Sequence, residues 1–171
     1  SVPVAVFSLE MSRAQLATRL LCAEAGIDAS KLRSGYLKKS DFPKLTKAAD
    51  LLSRAPIFID DSPSMHVREM RGKARQMKLE HGIELVVVDY LQLIEPDNPK
   101  DGRQEQVAKI ARRLKGLARE LEIPVMCLAQ LNRQTELAKD NRPRLSHLRE
   151  SGAIEQDADV VGFVHREEYY Q

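Results

Sequence analysis

Leu85-Val86-Val87-Val88-Asp89-Tyr90 decides the fold class: four branched or aliphatic residues in a row, closed by an acid. A short continuous apolar run rich in branched side chains is the pattern of a strand covered on both faces. Three more runs have the same character, Val4-Ala5-Val6-Phe7 and Ile57-Phe58-Ile59 before it and Val125-Met126-Cys127-Leu128 after it. A fifth, Val160-Val161-Gly162-Phe163-Val164, also reads as a strand. Between the runs the period changes to that of helices. Val107, Ile110, Ala111, Leu114, Leu117, Ala118 and Leu121 make one stripe three and four apart, and Val67, Met70, Ala74 and Met77 make a shorter one. Leu16, Ala17, Leu20 and Leu21 mark a third helix with Ser12 as its N-cap, and a fourth runs from about Ser40 to Arg54, capped by Ser40 or Asp41. Strand and helix taking turns predict an α/β fold, a mostly parallel sheet flanked by helices. No repeat, low-complexity tract or interdomain linker interrupts the pattern, so one domain is expected over residues 1–171.

Composition removes several alternatives. With 43% hydrophobic and 30% charged residues the chain is neither disordered nor fibrous. No apolar run approaches the roughly twenty residues that cross a bilayer, so no membrane partner is expected. The opening SVPVAVFSLEMS has no basic region before its apolar run and does not read as a signal peptide. Cys22 and Cys127 lie in apolar contexts without metal-ligand spacing and read as buried free thiols of a reducing, cytoplasmic compartment. A formal charge of +2 neither demands nor forbids nucleic acid. The basic side of the helix bearing Arg112, Arg113, Lys115 and Arg119 reads as a solvated face, with a subunit interface as the alternative. The four histidines are scattered and suggest no metal cluster.

In parallel sheets ligands gather where loops and helix N-termini meet the carboxyl ends of the strands. The residues there are Ser8-Leu9-Glu10, Asp60-Asp61, Asp89-Tyr90 and Ala129-Gln130. One acid in such a place reads as a cap for the next element; several on one edge favour a polar site. A carboxylate at Asp89 suits Mg²⁺, commonly through a coordinated water, since the small hard ion prefers oxygen and keeps part of its shell. Glu10 suits the task of polarising or deprotonating an attacking water, and its plain alternative is a solvated acid at a helix start. Gln130 offers donor and acceptor, fit to sense a phosphate, or it is simply a polar strand end.

Phe7-Ser8-Leu9-Glu10-Met11-Ser12, Val88-Asp89-Tyr90-Leu91-Gln92-Leu93-Ile94, Leu128-Ala129-Gln130-Leu131-Asn132-Arg133 and the long stretch Leu148 to Asp159 closely resemble the motor domain of DnaB-type replicative helicases, in that family's order and spacing. The resemblance implies a RecA-like three-layer fold and an ATP hydrolase with Mg²⁺ as cofactor. Its complete protein forms a homo-hexamer, moves 5′ to 3′ on single-stranded DNA, separates duplex, and meets a primase and a helicase loader. By the same resemblance Glu10 matches the catalytic glutamate, Asp89 the Walker B aspartate on Mg²⁺, and Gln130 the glutamine that senses the γ-phosphate. Arg149, Glu150 and Gly152 match the loop that holds single-stranded DNA in the ring's channel, and Arg19 matches an arginine near the nucleotide more loosely. The glycine suits that assignment, because backbone amides can approach phosphates closely there; a turn with Arg149 and Glu150 in surface ion pairs is the alternative. The polar loop from Glu95 to Arg103 faces the channel in the family, making Lys100 and Arg103 looser phosphate contacts; a solvated loop accounts for its composition equally well.

Two departures stand out. The sequence contains no Gly-x-x-x-x-Gly-Lys-Ser/Thr loop, which the family carries just upstream of these residues, and it stops before the family's segment of basic residues that reach the neighbouring ATP site. The expectation is a partial motor domain that by itself binds ATP poorly and hydrolyses almost none. A RecA-type recombinase, sharing fold and strand-end acids, and a non-catalytic scaffold or partner-binding domain are the alternatives. The Arg149 to Asp159 stretch favours the helicase, and an inert scaffold has no physical need for Glu10, Asp89 and Gln130 together.

Overall fold

A computed structural model describes residues 1–131, 144–145 and 152–166. Four strands, β1 (Val4–Ser8), β2 (Ile57–Asp60), β3 (Leu85–Asp89) and β4 (Val125–Cys127), form one sheet in the order β2-β1-β3-β4, and every pairing is parallel. The helices are α1 (Arg13–Ala25), α2 (Ala29–Ser34), α3 (Asp41–Ser53), α4 (Val67–His81), α5 (Arg103–Leu121) and α6 (Gly152–Asp157), with a 3-10 turn over Leu91–Leu93. The four runs singled out first in the sequence are thus the four strands, and the four expected helices are α1, α3, α4 and α5.

The period-two alternation of β1 and β3 explains how the core is built. Ala5 pairs with Val86 and Phe7 with Val88, so their side chains share one face, and all four are fully buried. Against that face lie Met70 and Ala74 of α4 and Val107, Ile110, Leu114, Leu117 and Leu121 of α5, the residues of the two helical stripes, in one continuous core. The other face, carrying Val4, Val6 and Val87, is only partly covered, and Met126 on it is 58% exposed. Cover on both faces, expected of every run, therefore holds least for the edge strands β2 and β4, whose residues are at most half-buried.

Local signals act as their chemistry dictates. Ser12 caps α1: its Oγ accepts from the Gln15 amide at 3.3 Å while Gln15 Oε1 accepts from the Ser12 amide at 3.0 Å, a reciprocal capping box. At α3, Ser40 holds the N-cap position without a side-chain bond, and Asp41 Oδ2 instead accepts from the Lys38 amide at 3.0 Å, tying the turn before the helix. Cys22 is buried as expected, whereas Cys127 is half-buried because it ends an edge strand.

One expected strand is not formed. Val160 to Val164 has no regular structure, and Val160 and Val164 are 88% and 97% exposed. A strand exists only through its ladder, and this run has no sheet partner among the described residues; branched composition alone does not supply one.

Candidate active site

Because the ladder is parallel throughout, all strand exits fall on one edge. Ser8 pairs with Asp89, Phe7 with Asp60 and Val88 with Cys127, which fixes the height of each exit. Beyond Ser8, the Leu9 amide donates to the Asp89 carbonyl at 2.8 Å. The buried Ser8 hydroxyl donates to the Met11 carbonyl at 2.8 Å, and Ser12 then opens α1. Glu10 sits in the middle of this short, doubly tied turn with its side chain exposed. Asp89, half-buried, closes β3, and its peptide bond to Tyr90 is cis. Past β4, the Leu128 amide donates to the Val88 carbonyl and the Leu91 amide to the Leu128 carbonyl, both at 2.9 Å, which brings the segment carrying Gln130 alongside the exit of β3. Glu10, Asp89 and Gln130 therefore stand on one rim of the sheet.

The acids after β2 have other partners. Asp60 Oδ2 lies 2.8 Å from Lys73 Nζ, and its Oδ1 accepts from the Ser62 amide at 3.0 Å. Burial alone would raise the Asp60 pKa; the Lys73 ammonium and the Ser62 donors outweigh it, and the carboxyl is held below its ordinary value. Lys73 is shifted up, chiefly by its bond to Asp60. Asp61 accepts from the Arg13 amide at 2.8 Å at the start of α1, the bond that does most to lower its pKa, and also pairs with the Arg13 guanidinium at 3.3 Å. These two carboxylates fasten β2 to α4 and to α1: Asp60 does so through an ion pair, Asp61 by accepting from the first amide of α1, and neither caps α4, the next helix in the chain.

A stability window follows for Asp60 and Lys73. A depressed carboxyl pKa stabilises the fold above its unfolded value of about 3.9, and a raised lysine pKa stabilises it below about 10.4. Asp60→Asn is expected to cost about 1–2 kcal/mol, hydrogen bonds to a partly screened charge pair being worth that much. The gap from wild type should stay level from about pH 5 to 9 and close as acid protonates Asp60 below about pH 4. Urea unfolding across that range reads it, and a gap that persists undiminished into acid would exclude the ion pair as the cause.

Arg19 is exposed on α1, about 9 Å along the axis from Arg13 at 1.5 Å per residue. Lys100 is exposed, with its amide donating to Asn98 Oδ1 at 3.2 Å. Arg103 opens α5 and is exposed, its guanidinium donating to the Gln92 carbonyl at 2.8 Å and to Gln106 Oε1 at 3.5 Å. Gly152 is the first residue of α6, whereas Arg149 and Glu150 lie outside the described residues. The basic side of α5 is ion-paired within the chain, Lys115 with Asp159, Arg113 with Asp97 and Arg112 with Asp157 at 4.0 Å. Beside Asp89, the Cys127 thiol is pushed up to about 12 by burial and by the carboxylate, which leaves it protonated and inert at neutral pH. Among the described residues no three His, Cys, Asp or Glu side chains group as a metal cage.

One residue of the site has no role in the sequence reading. The Gln92 carboxamide donates from Nε2 to the Gln130 carbonyl at 3.0 Å and accepts at Oε1 from the Gln130 amide at 3.2 Å. The signal available was an amide three residues past Asp89, inside an otherwise apolar Leu-Gln-Leu.

The fold is that of the RecA-like α/β class: it superposes on a solved ATPase domain with a TM-score of 0.94 at 40% identity, covering 99% of this chain and 61% of that one. A DnaB-like replicative helicase, solved in a study of its interactions with primase, matches with the same TM-score and identity over 99% of this chain and 41% of its own. The chain belongs to the DnaB-like helicase C terminal domain family, whose model matches residues 1–171. It is 53% identical over 168 residues to the replicative DNA helicase DnaB of Geobacillus stearothermophilus and 51% identical over 168 residues to the replicative DNA helicase DnaC of Bacillus subtilis. Each match covers 98% of this chain and 37% of the relative, so the chain spans little more than a third of the length of these relatives.

Proposed function

We propose that these residues form part of the motor of a replicative DNA helicase, which couples ATP hydrolysis to movement along single-stranded DNA and separation of duplex. The observation that carries the reading is the shared rim: an exposed carboxylate at Glu10, a half-buried one at Asp89 and the amide of Gln130 at neighbouring exits of one parallel ladder. Glu10 takes up a proton from the attacking water, and its exposure leaves both carboxylate oxygens available to do so. Asp89 fits Mg²⁺, since this ion is held by one or two carboxylates together with substrate phosphates and needs no protein cage. When bound, the metal neutralises charge on the terminal phosphates. Gln130 reports the γ-phosphate through its amide.

No Gly-x-x-x-x-Gly-Lys-Ser/Thr occurs in these residues, so the proposed ATP site takes its phosphate loop from elsewhere in the full-length protein. There the assembly is a homo-hexamer, with Arg149, Glu150 and Gly152 holding DNA and Arg19, Lys100 and Arg103 as secondary contacts. Primase and a loader are its partners and the cytoplasm its compartment. Among the described residues no helix is long and apolar enough to cross a membrane.

Forked duplexes with one single-stranded tail test the reading in the full-length protein. ATP-dependent strand separation from a 5′ tail, with little from a 3′ tail, is expected. Strand exchange between homologous duplexes without unwinding would instead identify a recombinase.

A further inference from the structure

The β3–β4 ladder ends before it reaches Gln130. After the Leu91–Leu128 bond the β3 chain enters its 3-10 turn, and among the described residues no main-chain hydrogen bond joins it to Gln130. The half-buried Gln92 side chain takes the vacated place, donating to the Gln130 carbonyl and accepting from its amide, as a neighbouring strand would. Gln92 is itself anchored, because its carbonyl accepts from the Arg103 guanidinium at the start of α5 at 2.8 Å.

We propose that Gln92 is a positioning residue: its carboxamide fixes the main chain of Gln130 on both sides and so aims the Gln130 side chain at the rim. A carboxamide has the donor and acceptor this needs at one end of a single side chain. Asparagine is one methylene too short. A glutamate keeps the acceptor but sets a carboxylate against the Gln130 carbonyl, and a leucine removes both bonds at similar volume. The inference rests on the proposed reading of Gln130 as the phosphate-sensing group.

The test uses the full-length protein, ATP with Mg²⁺, and single-stranded poly(dT) as the probe. Gln92→Leu is expected to lower poly(dT)-stimulated ATP hydrolysis about tenfold in kcat, as loss of a group's aim does. The KM for ATP should stay within about twofold, and the melting temperature near wild type. Gln92→Glu should lose stimulation likewise, and it carries the test if the leucine variant does not fold. Because Gln92 acts through Gln130, Gln92→Leu combined with Gln130→Ala should be no slower than Gln130→Ala alone. Wild-type stimulation in both Gln92 variants, or losses that multiply in the double variant, would overturn the inference while leaving the motor reading intact. Full stimulation in Gln130→Ala would overturn the sensing role and this inference with it.

Discussion

Glu10→Gln is expected to lower the kcat of Mg²⁺-dependent ATP hydrolysis by the full-length protein by about 10²–10⁴-fold, the usual contribution of a positioned general base. That range corresponds to about 3–5 kcal/mol of barrier. Glutamine keeps the length and shape of glutamate and loses only the capacity to take a proton, so the comparison isolates chemistry from packing. The local structure favours a clean result. Leu9 is tied to Asp89, and the Ser8 hydroxyl is tied to Met11. The turn therefore holds its course whatever stands between them, and the exposed side chain supports no core residue. Melting temperature and ATP affinity should stay near wild type, measured by thermal unfolding and by binding of a non-hydrolysable analogue. Phosphate release within threefold of wild type would remove Glu10 from the mechanism and, with it, the main chemical reason for the motor reading.

What could be read from the sequence divides by the range of the interaction involved. The runs at Val4, Ile57, Leu85 and Val125 became strands, and the stripes of α4 and α5 became the core face. Both follow from side-chain periodicity, which is local. The short α2 escaped because six residues hold too little period to see, although Asp28 caps it and Gly35 ends it at φ 76°. The run from Val160 to Val164 misled for the opposite reason: its composition is local, but a strand needs a partner edge. At the rim, position in the chain was enough to group Glu10, Asp89 and Gln130, since a parallel sheet delivers all its exits to one side. It was not enough to separate them from Asp60 and Asp61, whose partners Lys73 and Arg13 lie 13 and 48 residues away in sequence. Gln92 stayed silent because its role depends on a main chain 38 residues further on.

Phe7→Ala is expected to cost about 3–5 kcal/mol, the range for removing a buried aromatic side chain and leaving the cavity unfilled. Phe7 is fully buried on β1, one of the two inner strands, against the face covered by α4 and α5. Against a total of about 5–15 kcal/mol for a domain, the loss is severe. It should lower the thermal midpoint by roughly 10 °C. Met126→Ala, on the exposed side of the edge strand β4, should change stability by less than about 0.5 kcal/mol. A small effect at Phe7 would mean that the face built by Ala5, Phe7, Val86 and Val88 is not the core. The same substitution should reach the candidate site, because Phe7 is followed directly by Ser8, whose hydroxyl closes the turn carrying Glu10. A cavity under Ser8 loosens that turn, so in the full-length protein Phe7→Ala should lose ATP hydrolysis even below its unfolding temperature. Phe7→Leu, which refills much of the volume and costs about 1–2 kcal/mol, should retain most of it. If both variants hydrolyse ATP alike while differing in stability, the rim is held by its own hydrogen bonds and not by the core beneath it.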